Sequence, residues 1–124
     1  MRRSLAVAVA VLAVSAPIAQ AADPVYVRDP LSNKLSQHPR KLSFSDVDMT
    51  GLKWIHWGQA KAIAKGKANV LICDPNCAGG HRETHKVRVV VSKRTTEDGK
   101  RVYRCIAGKV SGVPKAYSRI SWMC

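Results

Sequence analysis

Along residues 60–72 small or apolar side chains occupy every second position, and this period of two limits the possible folds more than any other feature. The even positions are all small or apolar, whereas the odd positions include Lys61, Lys65 and Lys67. Such alternation places the two sets on opposite faces of a β-strand. Gly66 would cost a helix about 1 kcal/mol, but a strand can use glycine at a bulge or a close contact. The segment therefore predicts one long strand, not the helix that its alanines first suggest.

Neighbouring segments also favour strands over helices. Residues 42–48 and 52–58 fit two short strands, and the valines at 87, 89 and 91 alternate with other residues. Residues 73–80 form a turn by composition, Asp98-Gly99 marks a β-hairpin, and the tail fits a loop and a final short strand. We predict an all-β fold, a small single-domain β-sandwich or barrel of about five to seven short antiparallel strands.

Residues 1–21 have the three regions of a cleavable signal peptide. Arg2 and Arg3 precede an apolar run, and residues 19–21 (Ala-Gln-Ala) supply a small-residue cleavage site. The run is shorter than the roughly 20 residues that cross a bilayer, so a retained membrane anchor is the weaker interpretation. We predict cleavage after Ala21 and a secreted, soluble mature chain.

The mature chain divides into two parts by composition. Residues 22–41 are polar, carry three prolines and show no apolar period, so we expect an extended or disordered lead-in. A chain of this size buries one modest core. The β domain is therefore expected over residues 42–124.

The four cysteines, Cys73, Cys77, Cys105 and Cys124, predict two disulfides in a small exported chain. Three pairings are possible, and closeness in sequence favours Cys73 with Cys77 and Cys105 with Cys124. The second bridge would close a segment at the C-terminus and stabilise the fold by about 3 kcal/mol.

A metal site is the competing interpretation of Cys73, Cys77, His81 and His85, because two thiolates and two imidazoles suit zinc. Pro75 and the glycines that follow prevent a helix that would align these residues, and the spacing is not a usual zinc motif. In an oxidising compartment the two thiols bond to each other more readily. We predict no metal and no cofactor.

Catalytic constellations are weak in this sequence. A nucleophilic thiol must be free, and the cysteine count is even. Asp46 and Asp48 could share a strand face, but acidic residues that flank a turn are the commoner case. We therefore predict a protein that is not an enzyme and has no catalytic residue. The alternatives are a small secreted enzyme or metal-binding protein that uses Asp46, Asp74, His81 or His85, and a secreted toxin or effector.

Three tryptophans, Trp54, Trp57 and Trp122, can form either a core or an aromatic platform for a sugar or base. Core packing is the commoner role in a small β domain. Trp54 and Trp57 are three apart and would point to opposite faces of a regular strand, which predicts that one of them is exposed.

Positive charge is the main functional signal. Residues 1–21 contain two arginines and no acidic residue, so their removal lowers the formal charge from +13 to +11. A charge of this size predicts attraction to polyanions through screened, non-specific forces. The candidate anion-binding residues lie on predicted strand faces: Lys61, Lys65, Lys67, Arg88, Arg101 and Arg104. If these strands are neighbours, they would form one positive surface for an anionic polymer or an envelope surface, whereas the alternative is an ordinary solvated face.

Residues 52–108 contain a set of short motifs: Trp54-x-x-Trp57-Gly58, Ala64-x-Gly66, Cys73-x-Pro75-x-Cys77-Ala78-x-Gly80, the valine strand ending at Ser92, and Gly99 before Tyr103. This set resembles a family of small, largely uncharacterised exported actinobacterial proteins. The resemblance implies a disulfide-closed turn between the first two cysteines inside a β domain. It implies no activity, substrate or catalytic residue, and Cys105 and Cys124 depart from its pattern.

Overall fold

The computed structural model describes residues 6–14 and 23–124. Eight strands account for most of the domain: β1 (Val25–Arg28), β2 (Leu35–Ser36), β3 (Leu42–Ser43), β4 (Val47–Ile55), β5 (Lys61–Ile72), β6 (His81–Glu97), β7 (Lys100–Val110) and β8 (Arg119–Trp122). The helical structure in the described part of the chain is one 3-10 turn, Lys115–Tyr117. The predicted all-β fold is confirmed.

A single curled sheet, a half-barrel, contains all eight strands. Its order is β2-β1-β7-β6-β5-β4-β3, and β8 pairs with the other end of β7. The β1–β7 pair is parallel and every other pair is antiparallel. The long strands β5, β6 and β7 form the centre of the sheet and determine which side chains share a face.

The inner face of the sheet carries the core. Ala62, Ala64, Ala68 and Val70 of β5 are buried, and the lysines between them are exposed, as the alternation predicts. Small side chains on this central strand let the sheet curl closely over its own interior. Across that interior, a Cβ atom placed on Gly108 would lie only 2.9 Å from the terminal methyl group of Met49.

The sheet begins earlier in the chain than the predicted domain boundary at residue 42. Val25 and Val27 of β1 are 4% and 0% exposed and belong to the core, and β1 pairs with β7. These valines alternate with half-buried residues in the same period of two as β5. The prolines of the segment lie between the strands and not within them, so they do not prevent the strands from pairing. The described residues 23–41 are therefore not an extended or disordered lead-in to a domain that begins at residue 42, because β1, from Val25, is already part of the folded sheet.

Two edges of the sheet meet through the segment that follows β1. The Leu31 N–H donates to the Ser43 carbonyl at 3.1 Å, and the Ser43 N–H donates to the Asp29 carboxylate at 2.8 Å. Asp29 also accepts hydrogen bonds from the N–H groups of Leu31 and Ser32. Its carboxylate thus joins the β1 side of the sheet to β3, which extends the β4 side.

Both predicted disulfides are present, Cys73 with Cys77 and Cys105 with Cys124. The first closes the turn between β5 and β6, and the second ties the C-terminus to β7. The predicted hairpin is also confirmed, because Asp98 and Gly99 have φ values of 48° and 77°, as a two-residue turn of the favoured hairpin type requires.

The N-terminal segment stands apart from this domain. Its apolar residues Val7, Val9, Val11, Leu12 and Val14 are exposed and have no secondary structure. The predicted basic pair and cleavage site lie outside the described residues. No helix in the described ranges is long and apolar enough to cross a membrane.

Candidate anion-binding surface

Five basic residues form one line across the outer face of the sheet. Lys53 of β4 pairs with Lys65 of β5, Lys65 with Arg88 of β6, Arg88 with Lys109 of β7, and Lys109 with Arg119 of β8. Directly paired residues share a face of a sheet, so all five side chains lie on the same side. All five are exposed. We call this set the cross-strand row.

The row results from alternation and register together. Alternation turns each of these residues outward, because their sequence neighbours Leu52, Ala64 and Val89 are buried. The register then brings them level with one another at a strand spacing of about 4.8 Å. At Gly51, where φ is 62°, the β4–β5 register shifts between Thr50 and Lys53. This irregularity is what places Lys53 opposite Lys65.

A groove of about 650 Å³ runs along the centre of the row. Four residues of the row line it, together with Lys67 and Lys86, which pair with each other in the adjacent position. Among the described residues that line the groove, none is acidic and none is aromatic. Asp48 lies on the same face of the sheet, one row beyond Lys67 and Lys86, where it pairs with Asn69. The groove is therefore a cationic site with no internal counter-charge.

Three of the six predicted anion-binding residues lie in this groove: Lys65, Lys67 and Arg88. Lys61 is on the same strand but pairs with Ser92, four residues away from Lys65. Arg101 pairs with Thr96 near the hairpin turn, and Arg104 lies beside Arg28 and Trp122 in a separate small depression. The structure thus separates the hairpin arginines from the groove.

Lys53, Lys109 and Arg119 belong to the row but are absent from the set predicted from the sequence. Lys109 could have been found, because a two-residue turn at Asp98-Gly99 fixes the β6–β7 register and places Lys109 opposite Arg88. The position of Arg119 depends on β8 packing beside β7. The position of Lys53 opposite Lys65 depends on the register shift in β4, which the local sequence does not indicate.

An aromatic cleft adjoins the groove at the β4 side of the sheet. The cleft has a volume of about 330 Å³, and His38, Arg40 and Trp54 line it. It shares Gly51 and Lys53 with the groove, so the two are adjacent. Trp54 pairs with the buried Ala64, so its indole lies on the inner side of the sheet and is reached over the β4 edge.

Trp54 and Trp57 are both partly buried, so the prediction that one of them is exposed is wrong. β4 ends at Ile55, and His56 and Gly58 have positive φ, so the chain turns and Trp57 leaves the strand. The two indoles pack edge to face with centroids 5.0 Å apart. Their N–H groups donate to the carbonyls of Pro39 and Val25, respectively.

Tyr103 anchors the loop that carries Trp57. Its hydroxyl accepts a hydrogen bond from the Gly58 N–H and donates one to the Gln59 carbonyl. Burial raises the pKa of Tyr103, although the Gly58 N–H and nearby arginines act in the opposite direction. The phenol therefore stays neutral and keeps both hydrogen bonds over the ordinary pH range.

A histidine–carboxylate cluster lies at the other end of the molecule from this loop, near the disulfide-closed turn. Glu83 accepts hydrogen bonds from the imidazoles of His81 at 2.6 Å and His85 at 2.8 Å. These bonds, that of His85 first, lower the pKa of Glu83. Each of the two carboxylate oxygens of Glu83 therefore has a hydrogen-bond partner within the cluster.

Apart from His81 and His85, which share Glu83, the residues of the metal and enzyme alternatives do not converge. Cys73 and Cys77 are bonded to each other, and Asp74 is exposed in their turn. Asp46 is exposed before β4 and pairs through its backbone carbonyl with the Leu71 N–H. Among the described residues, no group of three or more His, Cys, Asp or Glu side chains is arranged to hold a metal ion.

No protein-family model, curated protein or solved structure matches this chain. The resemblance of residues 52–108 to exported actinobacterial proteins therefore stays a prediction. Any proposal of function rests on the geometry of the site.

Proposed function

We propose that this chain is an exported, non-enzymatic β domain that binds an anionic polymer at or outside the cell envelope. The observation that carries the proposal is the cross-strand row, in which five cations on five neighbouring strands are level with one another. A linear polyanion laid across the strands would meet one cation at each step.

The row destabilises the free protein, and this destabilisation supports a role in binding. Like charges placed directly opposite each other in a sheet destabilise it. The row contains four such pairs in succession, and among the described residues no acidic side chain lies between them. A bound polyanion would remove this repulsion, and counterions released from the polymer would add to the affinity.

The two disulfides suggest an oxidising, extracellular environment. Export through the N-terminal segment fits the exposed, unpacked state of residues 6–14, since none of them belongs to the core. Intact-mass measurement of protein recovered outside the cell tests this part. We expect a chain that begins at Ala22 and gains four hydrogens on reduction; a chain that retains residues 1–21 would contradict export by cleavage.

The binding experiment compares two double variants of equal net charge. Lys65→Gln with Lys109→Gln removes two lysines from the row, and Lys34→Gln with Lys115→Gln removes two exposed lysines elsewhere. Binding of fluorescein-labelled heparin and polyphosphate is measured by anisotropy over a range of NaCl concentrations.

We expect the row variant to lower the magnitude of the slope of log K against log salt by about 1.4, because each of the two lysines in contact with a flexible polyanion contributes about 0.7. The control variant should keep the slope of the parent protein. Equal losses in both variants would mean that net charge alone attracts the polymer and that the groove is not the site.

A further inference from the structure

We infer that the polymer is an acidic polysaccharide, which lies across the strands with one sugar for each strand and one ring in the aromatic cleft. The inference rests on the proposed function and adds to it the class of ligand and its direction. Three features support the inference: the spacing of the row, the position of the cleft next to the groove, and the chemistry of the cleft.

The spacing of the row suits a sugar chain. Neighbouring strands are about 4.8 Å apart, so the row offers one cation per 4.8 Å over about 19 Å from β4 to β8. One pyranose ring advances an extended polysaccharide by a similar length. A uronic acid polymer carries one carboxylate on each ring, so the average spacing of its charges along the chain is similar to that of the row.

The cleft lies next to the Lys53 end of the groove, and this position gives the bound polymer a direction. Groove and cleft share Gly51 and Lys53, and Lys53 is the end of the row on the β4 side. A polymer that follows the row from Arg119 to Lys53 therefore meets the cleft next, where its following ring turns over the β4 edge towards Trp54. The cleft has a volume of about 330 Å³, about half the 650 Å³ of the groove.

The cleft has the groups that a charged sugar requires. Trp54 supplies a partly exposed indole, whose own N–H is already satisfied by the Pro39 carbonyl at 2.6 Å. The indole therefore offers an apolar surface for the C–H face of a pyranose. Arg40 and His38, both exposed, supply hydrogen-bond donors for a carboxylate and hydroxyl groups.

The same features disfavour a nucleic acid or a membrane surface. Single-stranded nucleic acids bind to successive aromatic side chains on which consecutive bases stack. Among the described residues that line the groove none is aromatic, so the bases that follow the first would have no partner. A membrane surface also offers no single chain that could extend from the row into the cleft.

Calorimetric titration of the full chain with oligogalacturonates, from dimer to octamer, tests the inference. We expect the affinity to rise with each added sugar and to level off at the hexamer, which would fill the row and the cleft. Neutral malto-oligosaccharides of the same lengths should not bind, and oligothymidylate and polyphosphate of equal charge should bind more weakly.

Arg40→Ala tests the cleft without a change to the packed tryptophans, and Lys41→Ala is its matched control because it removes an adjacent exposed cation. Arg40→Ala should weaken hexagalacturonate about tenfold, the loss of one charge-assisted hydrogen bond, and leave polyphosphate unchanged. Lys41→Ala should leave both affinities close to that of the parent.

Two results would overturn the inference in distinguishable ways. If oligothymidylate and polyphosphate bind as well as galacturonates and no plateau is seen, the site binds polyanions in general and the polysaccharide assignment is wrong. If none of the polyanions binds in the groove, the proposed function fails as well.

Discussion

Asp29 shows how one carboxylate can hold two edges of a sheet together. Partial burial raises the pKa of Asp29, but hydrogen bonds from the Ser32, Ser43 and Leu31 N–H groups outweigh burial and leave the pKa below its ordinary value of 3.8. The charged form is thus favoured by folding. Its contribution to stability is complete above the unfolded-state pKa and is lost as the pH falls through the lower pKa of the folded protein.

Asp29→Asn should destabilise the protein at pH 7 by about 1 kcal/mol, because the site is partly exposed and the new amide would turn a donor towards a backbone N–H. Urea unfolding at several pH values measures the difference from the parent. It should shrink as the pH falls below about 4, where the parent carboxylate also becomes protonated. Asp98→Asn is the control, because Asn-Gly suits the same hairpin turn. A difference that stays constant down to pH 2 would contradict the role of the charge.

At the scale of strands, alternation was enough to identify β5, and the valine pattern was enough to identify the middle of β6. The hairpin signal at Asp98-Gly99 also specifies the β6–β7 register, and with it the pairing of Arg88 with Lys109. The β4–β5 register was beyond prediction, because it depends on the shift at Gly51. One of the four pairs of the row, Arg88 with Lys109, could therefore be predicted from local patterns, and the other three depend on tertiary pairing.

Repulsion along the row makes a prediction about the strands themselves. Lys65→Gln with Lys109→Gln should raise the melting temperature of the free protein by a few degrees at low salt, since each of the four like-charge pairs of the row contains one of these two lysines. The gain should disappear at high salt, where the charges are screened. Lys34→Gln with Lys115→Gln should have a smaller effect. If the row variant is less stable than the parent at low salt, the row is not a source of repulsion.

At the scale of the whole molecule, closure of the sheet was the least predictable feature. The core valines of β1 share the period of two seen in β5, but four residues are too few to outweigh the polar, proline-containing sequence around them. Their burial comes from parallel pairing with β7, far away in the chain. Contacts of this kind are properties of the complete fold and leave no local pattern in the sequence.

The C-terminal disulfide links this overall architecture to the binding surface. Cys105–Cys124 closes a segment with a sequence separation of 19, and β8 with Arg119 lies inside that segment. Cys105→Ser with Cys124→Ser should cost about 3 kcal/mol in unfolding free energy, compared with about 2 kcal/mol for the shorter Cys73–Cys77 bridge.

Hydrogen exchange distinguishes a local effect from a general one. The amides of Ile120 and Trp122 should lose protection in the Cys105/Cys124 variant and keep it in the Cys73/Cys77 variant. Unchanged protection of β8 in both would mean that pairing with β7 is sufficient to hold Arg119 in the row.

Because the two faces of β5 carry separate sets of residues, such a protein can change its binding residues in evolution without a change to its core. The inner residues, alanines and valine, are fixed by the narrow interior, whereas the outer lysines make no contribution to that packing. Each strand therefore presents one outward position of the row that can change its chemistry independently of the fold. A library of variants at those five positions would sample different ligands on one unchanged scaffold.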